Sequence, residues 1–258
     1  KIPRLKGGVK IDSTSVSLPN LILKTPDSDI EGELAMDFNA FDEQHPGLMK
    51  MRLNAQLGKQ DLLQFMGEMP RKFTERFPDR PLSIKGSING NMKQMEFTGL
   101  NICLPTALQL TADGSAENIA DPKNLKADIR LKAKAEDLNF VTALVDPKLQ
   151  RNYRIPYGLT LDGSIKADGT TYGADLTMRD GNGTVRLKGD AAIPRNAKGD
   201  MVPNGMTYDA DIKVNGLNLH HFMPKDSIYT ITADVKAKGY GTDFLSGKRR
   251  LTARARLH

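Results

Sequence analysis

Residues 126–136 read KADIRLKAKAE, and this stretch decides the fold class. Its odd positions, 127 to 135, are Ala, Ile, Leu, Ala and Ala, whereas every even position carries a charge. Successive side chains of a β-strand point to opposite faces of the sheet. The pattern therefore predicts a strand with one apolar face and one charged face.

The same alternation recurs along the chain, and turn signals separate the runs. The clearest further runs are 49–57, 208–214, 229–238 and 251–257. Asp-Gly pairs begin at 113, 162, 168 and 180, and Asn-Gly pairs begin at 89, 182, 204 and 215. Such pairs supply the positive φ angles of tight hairpins. About thirteen candidate strands result, which predicts an all-β, mostly antiparallel protein.

Composition limits the core and the charge of this protein. Of its 258 residues 39% are hydrophobic and 6% aromatic, with no Trp, so Leu, Ile, Val, Met and Ala must build the core. The net charge of +6 is spread along alternating strands, and the one basic cluster, at 248–256, has no aromatic set beside it for base stacking. We therefore expect no nucleic-acid partner. The single cysteine, Cys103, between Ile102 and Leu104, is predicted to be a small buried residue of a strand.

Helical signal is confined to three short segments. They are 59–77, where Pro70 should break the helix, 138–144, and a segment from Leu217 to Pro224. Their openings, DLLQF at 61, DLNF at 137 and GLNL at 216, are spaced by 76 and 79 residues, and the strand at 82–88 resembles that at 159–165 with a shift of 77. A fixed period indicates stacked supersecondary units.

We interpret the chain as one elongated, repetitive β domain over 1–258, with weak repeats near 1–80, 81–155, 156–226 and a partial one at 227–258. It contains no run of 18 apolar residues and no signal peptide, and it begins at Lys1. We therefore expect it to be a mature product or, in preference, a fragment of a longer protein.

The amphipathic strands with Asp/Asn-Gly turns and the recurring DLNF/GLNL element resemble the AsmA/TamB-type proteins of Gram-negative cell envelopes. The segment 208–219, YDADIKVNGLNL, matches most closely, and the resemblance covers 34–257. It implies a curled, U-shaped β-groove with an apolar interior. It further implies a periplasmic protein, anchored in the inner membrane, that carries phospholipid between membranes or supports outer-membrane assembly together with assembly proteins.

The residues themselves are compatible with such a groove, because a sheet with one apolar face must bury it against something. That face is rich in Ala and Gly, which leaves room for acyl chains. The predicted lining residues are Ile129, Leu131, Leu159, Leu161, Ile165, Ile212, Val214, Ile231 and Val235. Two alternatives remain open. One is an ordinary close-packed sandwich core, and the other is a structural or adhesive β module that binds protein or glycan through its loops.

No catalytic apparatus is evident in the sequence. It lacks a Walker loop, a dinucleotide fingerprint and a nucleophile elbow. The histidines His45, His220, His221 and His258 have no partners at metal-ligand spacing. We therefore predict a protein that is not an enzyme, with no catalytic residues, no metal and no cofactor.

Overall fold

The structure, a computed structural model, describes residues 4–42, 44–119, 121, 123–144, 152–181, 183–202, 204–225, 227, 229–241 and 250–257. The strands are β1 (Arg4–Lys6), β2 (Lys10–Ile11), β3 (Ser15–Lys24), β4 (Asp29–Asp37), β5 (Met49–Leu57), β6 (Leu82–Gly90), β7 (Gln94–Leu104), β8 (Leu108–Glu117), β9 (Lys126–Ala135), β10 (Leu159–Asp168), β11 (Thr171–Asp180), β12 (Gly183–Ala192), β13 (Thr207–Asn218), β14 (Thr230–Tyr240) and β15 (Arg250–Leu257). The helices are α1 (Lys59–Met66) and α2 (Arg71–Arg76), and 3₁₀ turns span Val141–Leu144 and Leu219–His221.

All these strands belong to one sheet, in which each strand from β3 onward pairs antiparallel with the next along the chain. At the first end, β1 and β2 both pair with the outer edge of β3. The predicted all-β, curled, antiparallel sheet with a few short helices is confirmed. The sheet has 15 strands rather than about thirteen. β1 and β2 have only three and two residues, too few to show an alternating pattern.

In the longer strands, β-bulges keep the apolar residues on one face of the sheet. The register shifts between Phe97 and Leu100 and between Val214 and Leu217. Gly99 and Gly216 lie inside these shifts with φ of 61° and 59°, a conformation that glycine adopts without strain. Because each bulge adds one residue, Leu217 returns to the same face as Val214.

Two glycines occupy points where neighbouring strands come unusually close. A Cβ on Gly114 would lie 2.3 Å from the carbonyl oxygen of Asp128 on β9. At Gly163, where φ is +148°, a Cβ would lie 2.0 Å from the oxygen of Asp175 on β11. Only glycine permits this approach, and such positions are typical of strongly curled sheets.

The cluster of buried aromatic side chains lies at one row of strand ends and not over the middle of the sheet. Small residues of the strands, such as Ala55 and Ala233, are also buried. Phe73, Phe77 and Phe140, called here the aromatic cap, pack with ring centroids 5.2–5.6 Å apart. They are buried together with Leu104 and Ala107, where β7 turns into β8. Leu62, Leu63 and Met66 of α1 and Leu82 at the start of β6 pack against this cluster. The helical segments thus cover the strand ends at this edge, which we call the helical rim.

Three sequence predictions need correction in detail. The segment 59–77 forms two helices separated around Pro70, as expected, but the segment 138–144 contains only a 3₁₀ turn. The third segment begins as strand, because β13 continues to Asn218 and only Leu219–His221 turn. Cys103 is half-buried rather than buried. It pairs with Ser83 and Gln109 on the polar face, since its neighbours Ile102 and Leu104 occupy the other.

The helical segments follow β5, β9 and β13, every fourth strand. The 77-residue repeat and its boundaries remain predictions. Neither helix in the described residues has the length and hydropathy needed to cross a bilayer.

Candidate functional site: the apolar face of the sheet

One line of apolar side chains crosses the whole sheet. The strand register aligns one residue from every strand except β2, and each is directly opposite the next. This central row is Leu5, Leu23, Ile30, Ala55, Ile84, Ile102, Leu110, Ala133, Leu161, Met178, Val185, Val214, Ala233 and Leu257. With strands about 4.8 Å apart, the row extends about 60 Å.

Two further rows, which we call the flanking rows, lie beside the central row on the same face of the sheet. One comprises Leu100, Ala112, Leu131, Gly163, Leu176, Leu187, Ile212, Val235 and Ala255. The other comprises Leu18, Leu34, Met51, Ile88, Phe97, Gly114, Ile129, Ile165, Ala174, Gly189, Ala210 and Ala237. We call these three rows the apolar face. None of their residues can ionise.

The nine predicted lining residues all lie on this side of the sheet, in two groups. Leu161 and Val214 belong to the central row, and the flanking rows contain Leu131, Ile212, Val235, Ile129 and Ile165. Leu159 and Ile231 lie nearer the helical rim, opposite Ala135 and Leu217. The β9–β10 group is separated from the β13–β14 group by β11 and β12.

Sequence reasoning missed the residues that join these two groups. Leu176 and Met178 on β11 and Val185 and Leu187 on β12 make the apolar face continuous. The alternation in TYGADLTMRD at 171–180 contains the signal. The residue-by-residue register between distant strands, which aligns the row, is not visible in the sequence.

The exposure of the side chains alternates along a strand in the same way as their polarity. On β9 the residues Ala127, Ile129 and Leu131 are half-buried, whereas the charged residues between them are exposed. The side chains at the two ends of the central row are exposed to solvent, Leu5 to 69% and Leu257 to 73%. Within the described chain the buried apolar cluster lies at the helical rim, so the middle of the apolar face has no second layer over it.

The opposite face carries cross-strand ion pairs and shallow depressions. Asp128 pairs with Lys166, Asp162 with Arg179, and Asp175 with Arg186, all largely exposed. A depression of about 380 Å³ over β10–β12 is lined by such mixed charges, among them Lys166, Asp175 and Asp190. The charged side chains in this lining make it unsuited to an acyl chain. Hydrogen bonds from Arg186 lower the pKa of Asp175, whereas a general acid at neutral pH needs a raised one.

One histidine pair has a clear structural role. His221 Nδ1 lies 2.8 Å from Oδ2 of Asp180, a residue only 6% exposed at the end of β11. His220 stacks on Tyr229, with ring centroids 4.9 Å apart. These contacts tie the 3₁₀ turn after β13 to the sheet. Among the residues that the structure describes, no three His, Cys, Asp or Glu side chains are grouped to hold a metal ion.

No protein-family model, curated protein or solved structure matches this chain. The resemblance to AsmA/TamB-type proteins therefore remains a prediction. Function has to be inferred from the geometry and chemistry of the sheet.

Proposed function

We propose that the apolar face binds lipid acyl chains, and that the chain is a periplasmic segment of an AsmA/TamB-like protein. In this role it moves phospholipid between the inner and outer membranes or supports outer-membrane assembly, within a protein anchored in the inner membrane. The observation that carries the proposal is the central row, which is apolar in every strand except β2 and over whose middle strands none of the described residues forms a second layer.

Burial energetics favour an apolar ligand on this face. Transferring a methylene group from water to an apolar surface is worth about 0.8 kcal/mol. Contiguous exposed apolar surface on a soluble protein marks an interaction site. Because the three rows contain no ionisable side chain, they offer contacts to hydrocarbon and none specific to a headgroup. The ligand class indicated is therefore the acyl chain.

A close-packed β-sandwich module, the main alternative, requires a second sheet against the first. All strands in the described residues belong to one sheet. Exposed tyrosines do occur, at Tyr153, Tyr157, Tyr229 and Tyr240. Among the described residues no ring contact joins any two of these tyrosines into a glycan-binding platform.

Native mass spectrometry of the chain, purified without detergent and followed by organic extraction, tests the proposal. We expect phospholipid or fatty acid to co-purify in stoichiometric amounts. Leu131→Asp and Ile212→Asp should each reduce the bound lipid about tenfold or more, because a carboxylate then lies among acyl carbons.

The matched controls are Lys132→Asp and Lys213→Asp, which place the same carboxylate one residue away on the polar face. They should retain lipid. Circular dichroism and urea midpoints establish that each variant is folded. A lipid-free mass with no uptake from liposomes, or equal loss in variants of both faces, would refute lipid binding by this face.

A further inference from the structure

A fourth row of side chains borders the apolar face on the side away from the helical rim. Tyr172 and Tyr208 belong to this row. Each lies two residues from a residue of a flanking row, Ala174 and Ala210 respectively, and therefore on the same face of the sheet. Ala191 lies between the two tyrosines and is directly opposite both. Two strand spacings, about 10 Å, separate Tyr172 from Tyr208. We call these two residues the tyrosine pair.

The tyrosine pair adds hydroxyl groups to the margin of an apolar surface. Both residues are half-buried. Among the described residues, neither hydroxyl has a hydrogen-bond partner. A tyrosine packs its ring on apolar surface and keeps its O–H for a polar partner, so tyrosine is common where hydrocarbon meets polar groups. The pair therefore offers hydrogen-bond donors at a place where an acyl chain on the apolar face would end.

The loops beyond the tyrosine pair carry cations. Lys123 Nζ donates to the carbonyl of Ala197 at 3.3 Å, which joins the β8–β9 loop to the β12–β13 loop. In the second loop, Arg195 likewise donates to a backbone carbonyl, at 2.9 Å. The acids of the two loops, Asp121 and Asp200, accept hydrogen bonds from asparagines of their own loops. Lys123 and Arg195 therefore contribute positive charge that no described carboxylate pairs with.

The opposite margin of the apolar face, at the helical rim, has different chemistry. Leu108, Ala135 and Leu159 lie opposite one another there, and Leu108 packs against the aromatic cap. Farther along this margin is Asp180, two residues beyond Met178 of the central row and only 6% exposed. An anionic group at this margin would meet apolar surface or a buried carboxylate, and both disfavour it.

We propose that the tyrosine pair binds the phosphate of a phospholipid whose acyl chains lie on the apolar face, an inference that rests on the lipid-binding function proposed above. The hydroxyls of Tyr172 and Tyr208 donate to phosphate oxygens, and Lys123 and Arg195 supply positive charge at the same margin. Six residues, about 20 Å, separate Tyr172 from Met178 in the central row. Half of a bilayer core is about 15 Å thick, so the chains end close to the central row.

Lipid uptake by the whole chain from vesicles of dioleoylphosphatidylglycerol with a minor share of dioleoylglycerol tests the proposal. The two lipids share their acyl chains, and only the first has a phosphate. Relative to its share in the vesicles, native mass spectrometry should show the phospholipid bound about tenfold better. Tyr172→Phe combined with Tyr208→Phe should lower this preference about fivefold and leave the uptake of dioleoylglycerol unchanged. The matched control, Tyr153→Phe combined with Tyr157→Phe, should keep the parental preference.

A phosphatidylethanolamine that carries a diazirine on its headgroup locates the phosphate independently. After irradiation we expect labels on residues 169–172 and 204–208. Labels concentrated on His221 would overturn the proposal and assign the headgroup to the Asp180–His221 pair. Displacement of the lipid by glycerol 3-phosphate, which has no acyl chains, would also overturn it and indicate a site for free phosphate esters.

The uptake experiment separates this proposal from the lipid-binding function on which it rests. Equal relative uptake of the two lipids, or an unchanged preference in the tyrosine variant, would overturn the phosphate site and leave lipid binding by the apolar face intact. Uptake of neither lipid would overturn both.

Discussion

At the scale of single residues, glycine determines where neighbouring strands can approach closely. Gly114 faces Ile129 across the β8–β9 pair, and the Asp128 oxygen occupies much of the space that a side chain would need. A methyl group there must push β8 and β9 apart. The choice of Gly over Ala at this point therefore helps to set the local curl of the sheet.

Gly114→Ala should destabilise the protein by about 1–3 kcal/mol, the usual cost of overpacking. The control is Gly8→Ala, where a Cβ would meet nothing within 4 Å, and its urea midpoint should stay close to that of the parent. Equilibrium urea unfolding measures both. If Gly114→Ala unfolds at the parental midpoint, the close strand approach does not exist in solution.

A carboxylate, Asp61, joins the loop at 25–28 to helix α1. Its Oδ2 accepts hydrogen bonds from Ser28 Oγ at 2.6 Å and from Thr25 Oγ1. These bonds lower the pKa of Asp61 below its ordinary value of 3.8. Because the folded pKa is lower than the unfolded one, the stabilisation is complete above the unfolded pKa and is lost as the pH falls through the folded pKa.

Asp61→Asn should therefore lower the urea midpoint at pH 6 and have a smaller effect near pH 2.5. Glu68→Gln, between α1 and α2, is the control for removing one negative charge. Urea unfolding at the two pH values gives the comparison. An equal effect of Asp61→Asn at both would show that the ionised carboxylate makes no contribution there.

At the scale of elements, the helical rim supplies the cluster of large buried side chains. Phe73 and Phe77 come from the α2 segment, and Phe140 comes from the connection between β9 and β10. Their packing brings two separate connections together over the same strand ends. The aromatic cap therefore stabilises one edge of the sheet.

Phe140→Ala should destabilise the protein by about 3–5 kcal/mol, because it removes a buried ring and leaves a cavity between Phe73 and Phe77. Phe65→Ala on α1 is the matched control, since Phe65 is 86% exposed, and its effect should stay within about 0.5 kcal/mol. Thermal and urea unfolding measure both. Similar effects for the two variants would contradict the packing of the cap.

The elements also show which structural features could be predicted from the sequence. The alternation at 126–136 predicts β9 and its two faces correctly, and Pro70 predicts the break between α1 and α2. The alternation of residues 102–104 could also have placed Cys103 on the polar face, because Ile102 and Leu104 occupy the apolar face. The meeting of Phe140 with Phe73 could not be predicted, since it depends on packing between distant segments.

At the scale of the whole molecule, the sequence alone could not predict that the apolar face is continuous from strand to strand. Ile129 and Leu161 can be assigned to an apolar face from their own strands. Their alignment with Met178, Val185 and Val214 depends on the register of several hairpins and bulges. A slip of one residue in any pair would turn the apolar side chains of the following strands to the charged face.

The central claim is that hydrocarbon lies along the central row, and photolabelling tests it most directly. The chain is loaded with a fatty acid that carries a diazirine near its methyl end and is then irradiated, and the labelled residues are located by peptide mass spectrometry. We predict labels on the central and flanking rows, with Met178, Val185 and Leu187 among them, and few on Arg179, Arg186 or Lys188 of the same strands. Labels confined to the polar face or to the loops, or no labelling above that of the unfolded chain, would contradict the account.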